Sequence, residues 1–189
     1  MGFGVGFLGL DGYVGVRMVG VLYFYGMSLI VRVQEELAPQ LVEVKQYAGE
    51  TTFLTSREHF LPLMEALRHK YGFDYLVDIG AVDHFEDGLR FEVVYNLMHL
   101  EARVRLRVKV RVPEEDPRLP TVSHLWPSAN WHEREAWDMM GIRFEGHPDL
   151  RRMYLPEDFG YHPLRKEFPL LGIPGTLPLP PKDPPKPYL

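Results

Sequence analysis

The residues whose types could do chemistry crowd into one short stretch, Trp131-His132-Glu133-Arg134-Glu135-Ala136-Trp137-Asp138. A histidine followed by a glutamate opens the H-E-x-x-H zinc pattern, in which two histidines one helical turn apart hold the metal and the glutamate acts as base. Here the second histidine position is Ala136, so that spacing fails. Glu135 and Asp138, at i and i+3, share a helix face. With His132 and His147 they keep a stand-alone metal-dependent hydrolase in view as one reading. Helical carboxylate metal sites need matching motifs on other helices, and this sequence offers none. A structural charge network accounts for the same residues. Asn130 and Glu133 read as a capping box, Glu133 complements the helix dipole, and Arg134 is placed four residues before Asp138 to pair with it.

Other chemistry is excluded more simply. There is no cysteine among the 189 residues, so thiolate nucleophiles, disulfides and cysteine-held zinc or iron–sulfur clusters are ruled out. Gly4-Val5-Gly6-Phe7-Leu8-Gly9 matches G-x-G-x-x-G. A dinucleotide site, however, needs a preceding strand and a following helix to aim at the pyrophosphate. Only three residues precede this one, and a glycine-broken stretch follows. Arg103, Arg105, Arg107, Lys109 and Arg111 alternate with Val104, Leu106, Val108, Val110 and Val112, one face cationic and one apolar. Such a strand could track a phosphate backbone. With a net charge of −5 and a pI near 5.9, a solvated or ion-paired outer face, or one covered by another subunit, is the better account, and no nucleic-acid partner is expected.

The elements that must position these residues are legible from periodicity. Ser28 reads as the cap of a short helix running to about Leu37, stopped by Pro39. Leu41 to Val44 and Thr51 to Leu54 form a weak hairpin around Gly49. Ser56 caps a helix whose apolar stripe is Phe60, Leu63, Met64, Leu67 and Tyr71, with Gly72 as its terminating glycine. Pro62, in its second turn, predicts a kink or a late start. Three strands follow, from about Phe73 to Val82, Arg90 to His99 and Arg103 to Val112, the first two joined by the turn Glu86-Asp87-Gly88. Pro113, Pro117 and Pro120 end the sheet, and a compact helix spans about Trp131 to Met140 before Gly141.

The fold class is therefore α+β: a small mixed or antiparallel sheet of about three to five strands flanked by helices, with an extended Pro-rich C-terminal segment. Three regions follow. Residues 1–27 are glycine-rich, and the uncharged run from Met18 to Val31 covers 14 positions where a spanning helix needs about 20. The plain expectation is disorder or a start codon assigned too early, with Met27 (or Met18) as the true first residue. Residues 28–145 form the α+β domain. Residues 146–189 are an extended partner-binding segment: nine of the 17 prolines lie between Pro163 and Pro187, so this stretch has no apolar face of its own to bury.

The stretch from Trp131 to Arg152 resembles the signature of the complex I 30 kDa subunit family. That signature reads E-R-E, two residues, an acid, two apolar residues, six residues, His or Lys, and a basic residue four further on. Here these are Glu133, Arg134, Glu135, Asp138, Met139, Met140, His147 and Arg151, with no gap. Val112 to Pro117 with Pro120-Thr121-Val122, and Leu155 to Asp158 with His162 to Lys166, resemble the family's flanking segments. The resemblance covers about Ser28 to Pro169. It implies a non-catalytic subunit in the hydrophilic arm of a respiratory NADH:quinone oxidoreductase, packed on the 49 kDa-type quinone-site subunit and other arm subunits. The whole complex would use FMN, iron–sulfur clusters, NADH and quinone and would translocate protons. This chain would bind no cofactor or metal and hold no catalytic residue. Its membrane association would be indirect, on the cytoplasmic side of the cell membrane, or the matrix side in mitochondria. Related complexes that take electrons from ferredoxin or reduced deazaflavin, and membrane-bound hydrogenases, share the motif. The resemblance further implies that Glu133, Arg134, Glu135 and Asp138 fix the short helix, and that His147, Pro148, Arg151, His162 and Arg165 mark and anchor the extended segment after it.

Overall fold

The computed structural model describes residues 27–85 and 88–169. The Gly4–Gly9 motif, Glu86-Asp87 of the expected turn, and the tail from 170 onward lie outside the described residues.

Helix α1 occupies 27–37 and turns Leu29, Ile30, Val33 and Leu37 into the core. Ser28 is already helical, so it lies within α1 instead of capping it. Pro39 forces the chain into a single 3-10 turn, Ala38–Gln40, ahead of strand β1. β1 (Leu41–Tyr47) and β2 (Glu50–Thr55) form the expected antiparallel hairpin. Helix α2 (Arg57–His69) starts where Ser56 accepts the His59 N–H, and it buries Phe60, Leu63, Met64 and Leu67 on one stripe. Each such side chain contributes about 1.5–3 kcal/mol on leaving water. Pro62 does not delay α2, because the helix is under way five residues earlier and Pro62 sits on its exposed side.

Strands β3 (Tyr75–Asp83), β4 (Phe91–His99) and β5 (Val104–Val112) form an antiparallel meander. β2 inserts beside β5 in parallel, so the five-stranded sheet is ordered β1-β2-β5-β4-β3. α2 and the β3–β4 hairpin fill the connection between these two parallel strands, which cannot be joined by a tight turn. The apolar register of β5 joins Phe53, Phe60, Tyr95 and Val33 in one core, and the Phe60 and Tyr95 rings lie 4.9 Å apart.

The cationic register of β5 is the other face. Lys109 and Arg111 both reach the Glu92 carboxylate of β4, and Arg107 reaches Asn96 and Glu50. Glu92 is only 4% exposed beneath its two cations. Arg107, Lys109 and Arg111 are thus ion-paired on the sheet face, acids of neighbouring strands opposing them, while Arg103 and Arg105 are exposed.

A second, two-stranded parallel sheet joins β6 (Arg118–Pro120) to β7 (Arg143–Glu145). Helix α3 (Ala129–Met140) connects the two and packs on β3. Sequence periodicity misses β6 and β7, since each has three residues and Pro120 reads as a breaker.

Gly72 closes the α2 region at φ +71°, and a Cβ there would stand 3.1 Å from the His99 Nε2. His99 in turn accepts the Ala102 N–H and holds the β4–β5 turn. Gly72→Ala is therefore expected to cost about 1–2 kcal/mol through left-handed backbone strain, read as a lower urea midpoint with an unchanged m-value.

Candidate functional site

Helix α3 is where the chemistry-bearing residues gather, and its faces are used differently. Ala129, Glu133, Ala136 and Met140 point into the protein. α3 starts two residues earlier than periodicity suggests, at Ala129, with no side-chain cap at Ser128. Asn130 and Glu133 therefore lie inside the helix, and the capping box does not form. Nor is Glu133 in the first turn. Its carboxylate is fully buried, accepting hydrogen bonds from the Thr121 hydroxyl and from the Val122 N–H at 2.8 Å. It rivets the loop after β6 to the helix.

Burial dominates the acidity of Glu133. It raises the carboxyl from 4.5 to about 7, against the opposing bonds from Thr121 and Val122. His147 comes within 3.9 Å of this carboxylate, beyond hydrogen-bond distance. Its Nδ1 accepts the Asp149 N–H at 3.0 Å, so Nε2 carries the proton and donates it to the Asn130 carbonyl at 3.0 Å. The imidazole is a clasp between α3 and the chain beyond β7. The Tyr95 hydroxyl, also buried, has no hydrogen-bond partner among the described residues.

The next face of α3 grips the segment after residue 146. Asp138 Oδ2 accepts the N–H groups of Met153, Tyr154 and Leu155 at 2.9, 2.7 and 3.2 Å, and Oδ1 accepts Arg152 Nη1 at 2.7 Å. Burial alone would raise this carboxyl; the three amides and the guanidinium outweigh it and hold the acid below its ordinary value. Arg134 does not pair with Asp138. It donates instead to the carbonyls of Arg151 and Arg152, at 3.0 and 3.1 Å, with its guanidinium against the Trp131 ring. The acid takes the segment's amides and the cation takes its carbonyls. Arg152, not Arg151, is the buried cation here, while Arg151 holds Asp149 at the surface. Pro148 is exposed.

The helix ends at Gly141, φ +78°, where a Cβ would come within 2.6 Å of Arg165 Nη2 and 2.7 Å of the His162 ring. Both side chains bond the last carbonyls of α3: His162 Nδ1 lies 3.0 Å from the Asp138 oxygen, and Arg165 Nε donates to the Met140 oxygen at 2.8 Å. The His162 ring stays below its ordinary pKa, chiefly through burial.

Sequence reasoning missed a second cluster. Asp83, at the end of β3, accepts Arg90 through both oxygens at 2.9 and 2.7 Å and takes the Lys166 N–H at 2.9 Å. Arg90 also bonds Glu114 and Glu167 and lies over the Phe85 and Phe91 rings. Its bidentate guanidinium drives the Asp83 carboxyl far down. The available signal was register, since Ile79, Ala81 and Asp83 alternate inward and a carboxylate in that register needs a cation. The four residues of a metal reading are otherwise engaged or unpaired: His132 faces Asp78 at 3.5 Å, His147 and Asp138 are occupied as above, and Glu135 bonds none of them. Among the described residues no group of three or more His, Asp or Glu is placed to hold a metal.

Comparison with known proteins places the chain among subunits of respiratory complexes. The profile of the family described as respiratory-chain NADH dehydrogenase, 30 Kd subunit, matches residues 53–173. An NADH-quinone oxidoreductase subunit from Geotalea uraniireducens is 41% identical over 143 residues, 76% of this chain and 87% of that protein. The solved trypsin-resistant fragment of Nqo5 superposes with TM-score 0.59 at 42% identity, covering 65% of this chain and 99% of the fragment. A chain of a membrane-bound sulfane sulfur reductase, an archaeal respiratory membrane complex, superposes with TM-score 0.64 at 29% identity, covering 78% of this chain and 87% of its own length.

Two outcomes follow from the buried acids. Asp138→Ala leaves three amides without an acceptor and takes from the Arg152 guanidinium its carboxylate, leaving it only the Asp138 and Tyr161 carbonyls, and is expected to cost about 3–5 kcal/mol in urea unfolding. Glu133 acts in the opposite sense. Its raised folded pKa means that the native state holds a proton the unfolded chain has released. Wild-type stability should therefore fall as pH rises from about 4.5 to about 7 and level off above. Glu133→Gln removes this dependence, so the variant should gain on wild type by on the order of 3 kcal/mol across that window. A constant difference in unfolding free energy between pH 4.5 and pH 8 would rule out the assignment.

Proposed function

This chain belongs to the respiratory-chain NADH dehydrogenase 30 Kd subunit family, and from that premise we propose that it is a non-catalytic subunit of the hydrophilic arm of an NADH:quinone oxidoreductase. It packs on the 49 kDa-type quinone-site subunit and supports electron transfer from NADH to quinone coupled to proton translocation. The observation that carries this reading is the family match across residues 53–173, which takes in both α3 and the segment it grips. The internal use of the charges supports it. Glu133, Arg134 and Asp138 are consumed in bonds to the chain's own backbone, an arrangement that builds a surface.

FMN, the iron–sulfur clusters, NADH and quinone belong to the other subunits in this reading. A chain without cysteine supplies no thiolate for the usual clusters. No helix among the described residues is long and apolar enough to cross a membrane, and attachment at the cytoplasmic face runs through the partners. The likeness to a chain of the archaeal sulfane sulfur reductase favours a second reading, membership of a related respiratory complex with another donor or acceptor.

The tagged chain, purified from detergent-solubilised native membranes, is expected to bring down cluster-bearing and quinone-site subunits with NADH:quinone reductase activity. Arg134→Ala, which releases the 151–152 carbonyls, should lower that recovery while the flavin-bearing subunit still oxidises NADH. Recovery with a different donor enzyme moves the assignment to the related complexes. Recovery alone, with stoichiometric metal and a chelator-sensitive activity, overturns it.

A further inference from the structure

Of the four charged side chains between Glu133 and Asp138, three are spent inside the protein. Glu133 holds the loop after β6, Arg134 holds two carbonyls, and Asp138 holds three amides and a guanidinium. Glu135 is the exception. Among the described residues it forms no hydrogen bond and no ion pair. Nothing in the fold requires a carboxylate at this position.

Its surroundings are equally unusual for a free surface. Trp131, Glu135 and Met139 follow one another at i, i+4 and i+8 and so form a single stripe along α3. The stripe lies between the gripped segment on one side and β3 on the other. Trp131 is 59% exposed, with Arg134 packed on one side of its ring. Glu135 and Met139 are half-buried. Leu164, 56% exposed, is tied beside the end of the stripe by its N–H on the Met139 carbonyl. Across the stripe His132 faces Asp78, whose side chain is 53% exposed. The face is thus apolar and aromatic; the Arg134 guanidinium at its edge is spent on the Arg151 and Arg152 carbonyls, and Glu135 and Asp78 are the acids it presents.

We propose that this stripe of α3 docks a basic segment of a neighbouring subunit, and that an arginine of that segment pairs with Glu135 and stacks on Trp131. Arginine suits both contacts at once. Its planar guanidinium bonds a carboxylate through two N–H groups and lies flat on an indole. Residues four apart on a helix are close enough for one guanidinium to reach both. Tryptophan and methionine are enriched at such interfaces, where an aromatic anchor beside a desolvated charge carries much of the affinity. The inference rests on the chain's place in a multisubunit complex and adds which face meets a partner and with what chemistry.

The test is capture of partners from native membranes by the tagged full chain, with unfolding midpoints measured alongside. Glu135→Lys should lower the recovery of neighbouring subunits about tenfold, because charge reversal opposes a basic partner, and should leave the midpoint at the parental value. Trp131→Ala should weaken capture in the same direction. Glu115→Lys, the same charge change at an exposed site away from α3, should capture as well as the parent. Parental recovery by Glu135→Lys, or a fall in its midpoint like that of Asp138→Ala, overturns the docking role and makes Glu135 a surface or folding residue. A parent chain that captures nothing overturns the complex assignment itself, and this proposal with it.

Discussion

The architecture around α3 depends on one interaction: a helix reading the backbone of an extended segment with a carboxylate and a guanidinium. Asp138 accepts three successive amides while Arg134, one turn away, donates to the carbonyls just before them. An extended chain has backbone groups that no ladder satisfies, and buried ones must find partners. Here side chains supply them. The segment beyond β7 is rich in proline and poor in periodic apolar residues, so burial of a hydrophobic face could not hold it. Charge-assisted hydrogen bonds, individually stronger than neutral ones, take that place.

The other buried charges repeat the device at different points of the same segment. His147 clasps its start through the Asn130 carbonyl, and His162 and Arg165 bond the carbonyls exposed at the end of α3. Asp83 receives its far end through the Lys166 amide, with Arg90 as counter-ion. Glu133 performs the equivalent task for the loop before the helix. Removing one member of such a set strands its mate in a low-dielectric interior, so each is held in place by the others. The result is a rigid panel of helix plus strap standing on the edge strand β3.

This panel also suits the proposed structural role. In a multisubunit enzyme, geometry between neighbours must persist while electrons move elsewhere, and a rigid surface serves that better than a mobile tail. The cationic face of β5 is tempered in a parallel way: Lys109 and Arg111 close over Glu92 and Arg107 pairs with Glu50, so three of the five positive charges in the run meet an acid.

How much is legible in the sequence follows from the range of the forces involved. Apolar periodicity is local, and it places α2, the β1–β2 hairpin and the three strands of the meander within about three residues. The absence of cysteine excludes whole classes of chemistry, and the spacing of Glu133, Arg134, Glu135, Asp138 and His147 identifies the family. Spacing also suggests a capping box at Asn130 and an Arg134–Asp138 pair, and neither forms, for the same reason. A charged side chain bonds whichever strong partner the tertiary structure brings closest, and here backbone groups about 11 to 18 residues away come closer than helix neighbours. The parallel pairing of β2 with β5, the brief β6–β7 sheet, the Asp83–Arg90 cluster and the choice of Arg152 over Arg151 are likewise through-space outcomes. The sequence by itself determined the elements, their order and the kinship. The tertiary structure alone decided which charges are buried, what each one holds, and that Glu135 is left facing outward.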